Sequence, residues 1–256
     1  MRATRNTAQS TLPKAAPPPL HVQEHALFLD LDGTLLEIQE RPHAVYASPA
    51  LRTLLRNTSD RMSSALAIVT GRSLGDLDDI IEGAVDHAAG VHGFEILRAG
   101  RISRDAIELT QLAEARTDVR RLLQQHELSA LIEDKYASLA LHYRHIPQAE
   151  ETIQRLAKDI AAKRGLRVLQ GKMVVELIAT ARTKGYAVTV LMAAPPFSGR
   201  TPIAIGDDRT DEDAFAAAKR MGGFGVLVGE PRGTNADYLL PDPTAVAAWL
   251  ANGLRA

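Results

Sequence analysis

The chain has 256 residues, of which 45% are hydrophobic and 24% charged, values typical of one large globular domain or a core with a smaller insertion. A formal net charge of -1 gives no global field for nucleic acid or an anionic membrane, so neither is expected as a partner. Because the chain has no cysteine, disulfides, cysteine-bound zinc and thiol catalysis are excluded, and any bound metal is expected to be a hard cation with oxygen ligands.

The first 22 residues are rich in proline, include Arg2 and Arg5, and lack the apolar core that a signal peptide needs. We predict a flexible, partly polyproline tail, with an organelle transit peptide as the alternative because such peptides also carry arginines and lack acids. No stretch approaches the roughly 18 consecutive apolar residues of a membrane span. We therefore expect a soluble, cytoplasmic protein.

The first predicted strand covers residues 26–29 and runs into an Asp-x-Asp-Gly-Thr sequence. A continuous apolar run predicts a buried parallel strand, and polar residues at its carboxyl end lie where open α/β sheets place their sites. Asp30 and Asp32 are two residues apart and point the same way if the strand continues, so they need a metal or a shared proton. An ordinary Asx-turn after the strand is the alternative reading.

Residues 65–70 form the second predicted strand, after a loop and a helix at residues 50–56. The strand ends at Thr70, Gly71 and Arg72 form a turn, and Ser73 caps a helix that extends toward Ile81. A hydroxyl beside the free N–H groups of a turn is suited to hold a phosphate oxygen, although a threonine that only caps the turn remains an alternative.

The middle of the chain has a different pattern. A strand and a hairpin at residues 86–101 and a helix at 111–126 are followed by a hairpin at 130–144, a helix at 150–164 and a hairpin at 166–178. Strand and helix alternation then resumes with a helix from Lys184 to residue 193. We therefore predict a parallel α/β core at residues 23–108 and 181–256, interrupted by a smaller α/β unit at 109–180 with hinges near its ends.

The third buried strand, residues 202–206, leads into a second acidic sequence and a helix at 214–221. A strand at 225–228, an edge strand at 236–240 and a helix at 243–250 complete the pattern. Asp207 and Asp211 lie four residues apart at a helix start, which places them on one face. Helix capping explains one of them, but a gathering with Asp30 calls for a hard divalent cation, and Mg²⁺ is the expected choice.

These motifs, in this order, resemble the four motifs of the haloacid dehalogenase superfamily phosphatases: residues 30–34, 70–72, Lys184 and residues 206–211. Within the superfamily the chain is most similar to the trehalose-6-phosphate phosphatases, at residues 69–72, 90–95, 132–135, 138–144 and 171–177. The resemblance implies a Rossmann-like core with a cap domain over it. It also implies Mg²⁺-dependent hydrolysis of trehalose 6-phosphate through an aspartyl-phosphate, so the small sugar phosphate is the expected partner. The sequence does not give the oligomeric state, and a monomer is one option.

The resemblance also implies roles for individual residues. Asp30 would be the nucleophile, Asp32 the general acid and base, and Thr70 and Lys184 would hold the phosphoryl oxygens. The metal would be bound by Asp30, the backbone carbonyl of Asp32, Asp207, and Asp211 directly or through water. The expected substrate-binding residues are Gly71, Arg72, Glu133, Lys135, His142, Arg144, Lys172 and Glu176.

His92, Gly93 and Glu95 are expected to shape the loop beneath the cap, and a purely structural role is the alternative for them. Two other functions stay open at this point. One is a phosphatase of the same superfamily for another sugar phosphate, such as sucrose-phosphate or mannosyl-phosphoglycerate. The other is a catalytically silent regulatory domain, against which the intact carboxylate cluster argues.

Overall fold

A computed structural model of the chain describes residues 16–39, 45–104, 110–135, 137–179 and 182–255. The elements in chain order are β1 (His25–Leu29), α1 (Pro49–Arg61), β2 (Leu66–Val69), α2 (Leu74–Ile81), β3 (His87–Gly90), β4 (Glu95–Arg98), β5 (Arg101–Arg104), α3 (Thr110–Gln125), β6 (Leu131–Lys135), β7 (Ser138–His142), α4 (Glu150–Arg164), β8 (Arg167–Gly171), β9 (Val174–Ile178), α5 (Lys184–Met192), β10 (Thr201–Gly206), α6 (Glu212–Arg220), β11 (Phe224–Val228), β12 (Tyr238–Leu240) and α7 (Pro243–Gly253). None of the described helices is long and apolar enough to cross a lipid bilayer.

The larger sheet has eight strands in the order β12-β11-β10-β1-β2-β3-β4-β5. Its strands pair in parallel from β12 to β3, and β4 and β5 extend it as an antiparallel hairpin. The order of the strands reverses at β1, which lies between β2 and β10 although these strands are far apart in the chain. Open sheets bind ligands outside the carboxyl ends of the strands at such a reversal. The expected α/β class with a mainly parallel sheet is thus confirmed.

The core of this sheet follows from its apolar strands. All five residues of β1 are buried, and Phe28 stacks on Phe197 with ring centroids 5.3 Å apart. Helices α5 and α6 pack against each other, as do α1 and α7. Because both faces of a parallel sheet must be covered, strands with no polar side chain at their centre are the expected result.

The smaller sheet is antiparallel, in the order β6-β7-β9-β8, and comes from one continuous stretch of the chain. We call this sheet, with α3 and α4, the cap. The two helices pack on each other, and a buried cluster that includes Leu141, Ile153 and Leu177 fills the space between helices and sheet. Asp118 of α3 binds Arg164 of α4 at 2.7 Å, which ties the helices together. The hinges expected near residues 109 and 181 lie outside the described residues.

The structure differs from the sequence-based expectation at three places. Residues 16–22 do not behave as a free tail, because Leu20 is buried against α7 and the indole Nε1 of Trp249 donates to the carbonyl oxygen of Pro18 at 2.9 Å. Helix α1 is five residues longer than expected at its carboxyl end, since Thr58 donates to the Leu54 carbonyl and is buried. The strand and hairpin expected at residues 86–101 extend to Arg104, because the second strand of the hairpin is β5, whose residues are all exposed and include one apolar side chain, Ile102.

Candidate active site

The candidate site lies at the carboxyl end of β1, where the order of the large sheet reverses. The N–H of Asp30 donates to the carbonyl oxygen of Ile205 at 2.9 Å, which continues the pairing of β1 with β10 past the end of the strand. Thr70 follows β2 and Asp207 follows β10, so the parallel register brings these three residues to one edge. All three line one cavity between the large sheet and the cap.

Lys184 is the cation at the centre of the site. Its Nζ donates to Asp30 Oδ1 and to Asp211 Oδ1, each at 2.7 Å, and its side chain is only 3% exposed. Thr183 caps α5 by accepting the N–H of Tyr186, which places Lys184 at the first position of the helix. Burial alone would lower the pKa of Lys184, but the two carboxylates outweigh it and raise the pKa, so the ammonium stays charged.

Three carboxylates, those of Asp30, Asp207 and Asp211, come together beside Lys184, with one oxygen of each within 4.8 Å of the others. Burial, followed by the charges of Asp30 and Asp211, raises the pKa of Asp207 to about 8 against the opposing effect of Lys184. Burial likewise raises the pKa of Asp211 to about 7 despite the opposing effect of Lys184. The cluster therefore holds more negative charge than one ammonium offsets, and its all-oxygen donor set fits a hard divalent cation.

Two glycines allow the carboxylates to approach the backbone this closely. A Cβ on Gly33, whose φ is +86°, would lie 2.2 Å from Asp207 Oδ2. A Cβ on Gly206 would lie 2.1 Å from Asp211 Cγ. Asp211 is further fixed by the N–H of Asp208, which donates to its Oδ2 at 3.1 Å in a capping box. Side chains at either glycine would displace the carboxylate cluster, so both motifs need glycine there.

Asp32 stands apart from the three clustered carboxylates. Arg72 binds it with two parallel bonds, from Nε to Oδ2 at 2.6 Å and from a terminal nitrogen to Oδ1 at 2.7 Å. Such a bidentate pair fixes both position and orientation of a carboxylate. The structure thus places Arg72, a predicted substrate-binding residue, in the cavity with its guanidinium engaged by Asp32. The prediction of a metal contact from Asp32 concerns its backbone carbonyl and stays a prediction.

The turn after β2 is built around Thr70. Its hydroxyl oxygen accepts the N–H of Arg72 at 3.1 Å, and the residue is 1% exposed. The capping role weighed in the sequence analysis is therefore present. Because a hydroxyl that accepts one bond still has its own hydrogen to donate, the same group can also bind a phosphoryl oxygen. Gly71, the next residue, lines the cavity beside it.

The other wall of the cavity belongs to the cap. It brings together five of the predicted sugar-binding residues: Glu133, His142, Arg144, Lys172 and Glu176. His142 Nε2 lies 2.7 Å from Glu133 Oε2, and Arg144 donates to the carbonyl oxygen of Lys172 at 3.2 Å. These residues come from adjacent hairpins of one antiparallel sheet. The side chain of Lys135 lies outside the described part of the chain.

The comparison with protein families identifies this arrangement. The family model described as Trehalose-phosphatase matches residues 28–244, which include both acidic sequences and the whole cap. The chain belongs to the trehalose-phosphatase family. The family resemblance found in the sequence is thereby confirmed.

Named relatives of this family match most of the chain. A probable trehalose-phosphate phosphatase of Sinorhizobium fredii is 39% identical over 216 residues, which are 80% of this chain and 78% of the relative. The trehalose-6-phosphate phosphatase of Escherichia coli is 35% identical over 235 residues, covering 89% and 85%. A solved structure also matches, that of the C-terminal domain of the C. albicans trehalose-6-phosphate phosphatase. Its TM-score is 0.80 at 20% identity, and the match covers 94% of this chain and 99% of that one. The two proteins therefore share the fold.

Several residues of this trehalose-phosphatase site were not predicted. Asp208 and Thr210, which lie between Asp207 and Asp211 in the sequence, line the cavity. The hydroxyl of Thr34 donates to Asp30 Oδ2 at 3.3 Å. The Gly-Thr that follows Asp32 was a signal for Thr34. Leu169 of the cap gives no such signal, because an apolar strand residue is the same in sequence whether it faces a core or a ligand.

The loop at residues 90–95 has the structural role that was considered for it. Glu95 is buried, accepts the N–H of Leu74 at 2.7 Å and binds Arg104 Nε at 2.7 Å, so it caps α2 and ties β4 to β5. Gly93 has a φ of +101°, and a Cβ there would lie 2.8 Å from the carbonyl oxygen of Thr183. His92 differs from both, since it lines the cavity.

Proposed function

We propose that the protein hydrolyses trehalose 6-phosphate to trehalose and inorganic phosphate. The observation that carries the proposal is Asp30 at the end of β1, bound by the buried Lys184 and clustered with Asp207 and Asp211. A nucleophilic carboxylate needs a fixed position and nearby positive charge for the phosphoryl group, and this site supplies the first and part of the second. Membership of the trehalose-phosphatase family supports the choice of substrate.

The reaction proceeds in two steps on the same residues. An oxygen of Asp30 forms a bond to phosphorus while the bond from phosphorus to the sugar oxygen breaks, and Asp32 gives its proton to that leaving oxygen. Asp32, now a carboxylate, then takes a proton from a water whose oxygen attacks phosphorus and releases Asp30. Thr70 and Lys184 hold phosphoryl oxygens in both steps. In the structure both oxygens of Asp32 accept hydrogen bonds from Arg72, so one of these two contacts has to open when Asp32 carries the proton that it gives.

Mg²⁺ is the proposed cofactor, and it would be held by Asp30, Asp207, the backbone carbonyl of Asp32, and Asp211 directly or through water. When bound, it would offset the negative charge of the phosphoryl group and the carboxylates. The cluster of three carboxylates supports this assignment, and the raised pKa values of Asp207 and Asp211 reflect the burial of these acids close to other carboxylates.

Selection of the sugar is assigned to the cap. Polar side chains that hydrogen-bond hydroxyl groups reject analogues that leave those side chains unpaired in a closed site. Glu133, His142, Arg144, Lys172 and Glu176 face the cavity opposite the phosphoryl-binding residues. We assign these five residues to the glucose units of the substrate.

We also propose that the enzyme is located in the cytoplasm.

The test is a phosphate-release assay on a panel of sugar phosphates with Mg²⁺ present and after removal by EDTA. We expect trehalose 6-phosphate to be the preferred substrate and turnover to stop without metal and resume when Mg²⁺ is restored. Preference for sucrose-phosphate or mannosyl-phosphoglycerate would replace the proposed substrate but keep the chemistry. No release from any of them would indicate a silent domain, and full activity in EDTA would contradict the metal site.

A further inference from the structure

One buried polar contact joins the cap to the core. Nε2 of His92, in the loop after β3, lies 2.9 Å from Oε2 of Glu176 in β9, and the two side chains are 7% and 9% exposed. The other carboxylate oxygen of Glu176 accepts the hydroxyl of Ser138, a fully buried cap residue. Glu176 is thus held from two directions, once by its own domain and once by the core.

His92 is itself fixed by the turn that holds the proposed phosphate site. Its N–H donates to the carbonyl oxygen of Thr70 at 3.0 Å, and the N–H of Val91 donates to that of Arg72 at 2.8 Å. The imidazole lies against Gly71, where an added Cβ would be 2.8 Å from Cε1. His92 has a φ of 56° and a ψ of 25°, a left-handed conformation that non-glycine residues keep only where surrounding contacts impose it.

The two acidic residues of the cap wall differ in where their histidine partner comes from. Glu133 of β6 is bound by His142 of β7, so that pair lies within one hairpin and forms wherever the cap is folded. Glu176 is bound by a histidine of the core. Its pair requires the cap to be seated on the core.

We propose that His92 is a positioning residue that completes the sugar-binding wall when the cap closes, by fixing the carboxylate of Glu176. The Nε2–H tautomer of the neutral ring and the imidazolium both donate the Nε2 hydrogen to the carboxylate. Glu176 also lines the cavity, so a carboxylate fixed by His92 presents its oxygens to a sugar hydroxyl in one orientation. This inference rests on the proposed function. Since the N–H of His92 also binds the Thr70 carbonyl, His92 would link sugar recognition to the turn that holds the proposed phosphate site.

The test compares His92→Ala with His92→Gln. Both replacements must adopt the left-handed conformation, so they share the backbone cost, but only glutamine retains an N–H near the position of Nε2. We expect His92→Ala to raise KM for trehalose 6-phosphate about 10–100-fold, the loss expected for a buried charge-assisted hydrogen bond. Hydrolysis of p-nitrophenyl phosphate, which has no sugar, should change less than about 3-fold. His92→Gln should recover much of the loss, and His145→Ala, at an exposed histidine of the cap, is the matched control.

A double variant gives the decisive readout. If His92 acts through Glu176, His92→Ala should add little to the defect of Glu176→Ala, since Glu176→Ala removes the carboxylate that His92 positions. Multiplicative defects, or equal losses on the sugar phosphate and on p-nitrophenyl phosphate, would overturn the inference in favour of a role at the phosphate site alone.

A second measurement separates this inference from the proposed function. If the wild-type protein does not hydrolyse trehalose 6-phosphate, the proposed substrate fails, but small-angle scattering of the free protein still reports on cap closure. We expect His92→Ala to shift the scattering toward a more extended particle than the wild type and His145→Ala. In that case, unchanged scattering of folded His92→Ala would overturn the contact as a closure element.

Discussion

The two walls of the active site differ in how deeply most of their charged side chains are buried. On the core side, Asp30, Lys184 and Asp211 are buried at the ends of parallel strands and at helix starts. The ammonium of Lys184 binds both carboxylates and so fixes their positions. On the cap side, His142 is half-buried and Lys172 is exposed, on hairpins of an antiparallel sheet with solvent on one face. The difference indicates that the charge-dense cluster lies on the buried, low-dielectric side of the cleft, where fixed charges interact most strongly, and that the residues we propose for sugar recognition lie on the more solvent-exposed side.

The largest effect is expected for Asp30→Asn on the core wall. Phosphate release from every substrate should fall by about 10⁴-fold or more, because the amide cannot form the aspartyl-phosphate. The fold should persist, since one of three mutually repelling carboxylates is removed. Steady-state kinetics with circular dichroism as a check measure this. Activity within tenfold of the wild type would remove Asp30 from its assigned role.

Lys184→Met should affect both chemistry and stability. Loss of the ammonium leaves the buried carboxylates without their cation, so we expect about 10³-fold lower kcat and, in EDTA, about 3–5 kcal/mol less unfolding free energy. Denaturant unfolding and phosphate release measure the two effects. Lys219→Met, which breaks an exposed pair with Asp237, should cost less than about 1 kcal/mol. Equal effects of the two variants would contradict the special role of Lys184.

On the cap wall, Glu133→Gln should damage selectivity more than chemistry. We expect kcat/KM for trehalose 6-phosphate to fall about 10–100-fold, and that for p-nitrophenyl phosphate by less than about 3-fold. Glu114→Gln, at an exposed ion pair of α3 with Arg164, is the matched control on the same domain. If both substrates lose activity to the same extent, the division between the two walls is wrong.

The smallest of these effects is a pH dependence of metal stabilisation. Without metal, the raised pKa values of Asp207 (about 8) and Asp211 (about 7) mean that the folded state binds more protons than the unfolded state between about pH 4 and pH 8. The unfolding free energy of the metal-free protein therefore falls as pH rises through this range. Since Mg²⁺ takes the place of those protons, the difference in Tm between Mg²⁺ and EDTA should grow from pH 5 to pH 8. Asp207→Asn should flatten that difference, and a difference independent of pH would contradict the shared site.

Much of the fold could be predicted because its signals are local. Helix α4 has the predicted bounds, and apolar runs that end in Asp30, Thr70 and Asp207 predicted both the strands and the shared edge. Helix α1 was predicted too short because Thr58 and Ser59 are polar yet buried, with the Thr58 hydroxyl satisfied inside the helix. Local pattern fails where a polar residue finds its partner within its own element.

Non-local pairs of the site could not be predicted for a related reason. Arg72 and Asp32 are 40 residues apart, and His92 and Glu176 are 84 apart. Neither pair follows from a period or a motif, because each depends on how two turns or two domains meet. The residues that line the cavity were therefore foreseen more fully than the bonds between them.

The packing of Trp249 against the segment before β1 has a practical consequence. It is the only tryptophan in the chain, and its Nε1 is bound to the carbonyl oxygen of Pro18. Leu20 lies in the same contact, against Gly253 of α7. An indole with a hydrogen-bonded edge and an apolar neighbourhood changes its emission when water replaces either one. The intrinsic fluorescence of the protein therefore reports on a single place, the docking of residues 16–22, and gives a spectroscopic signal remote from the active site.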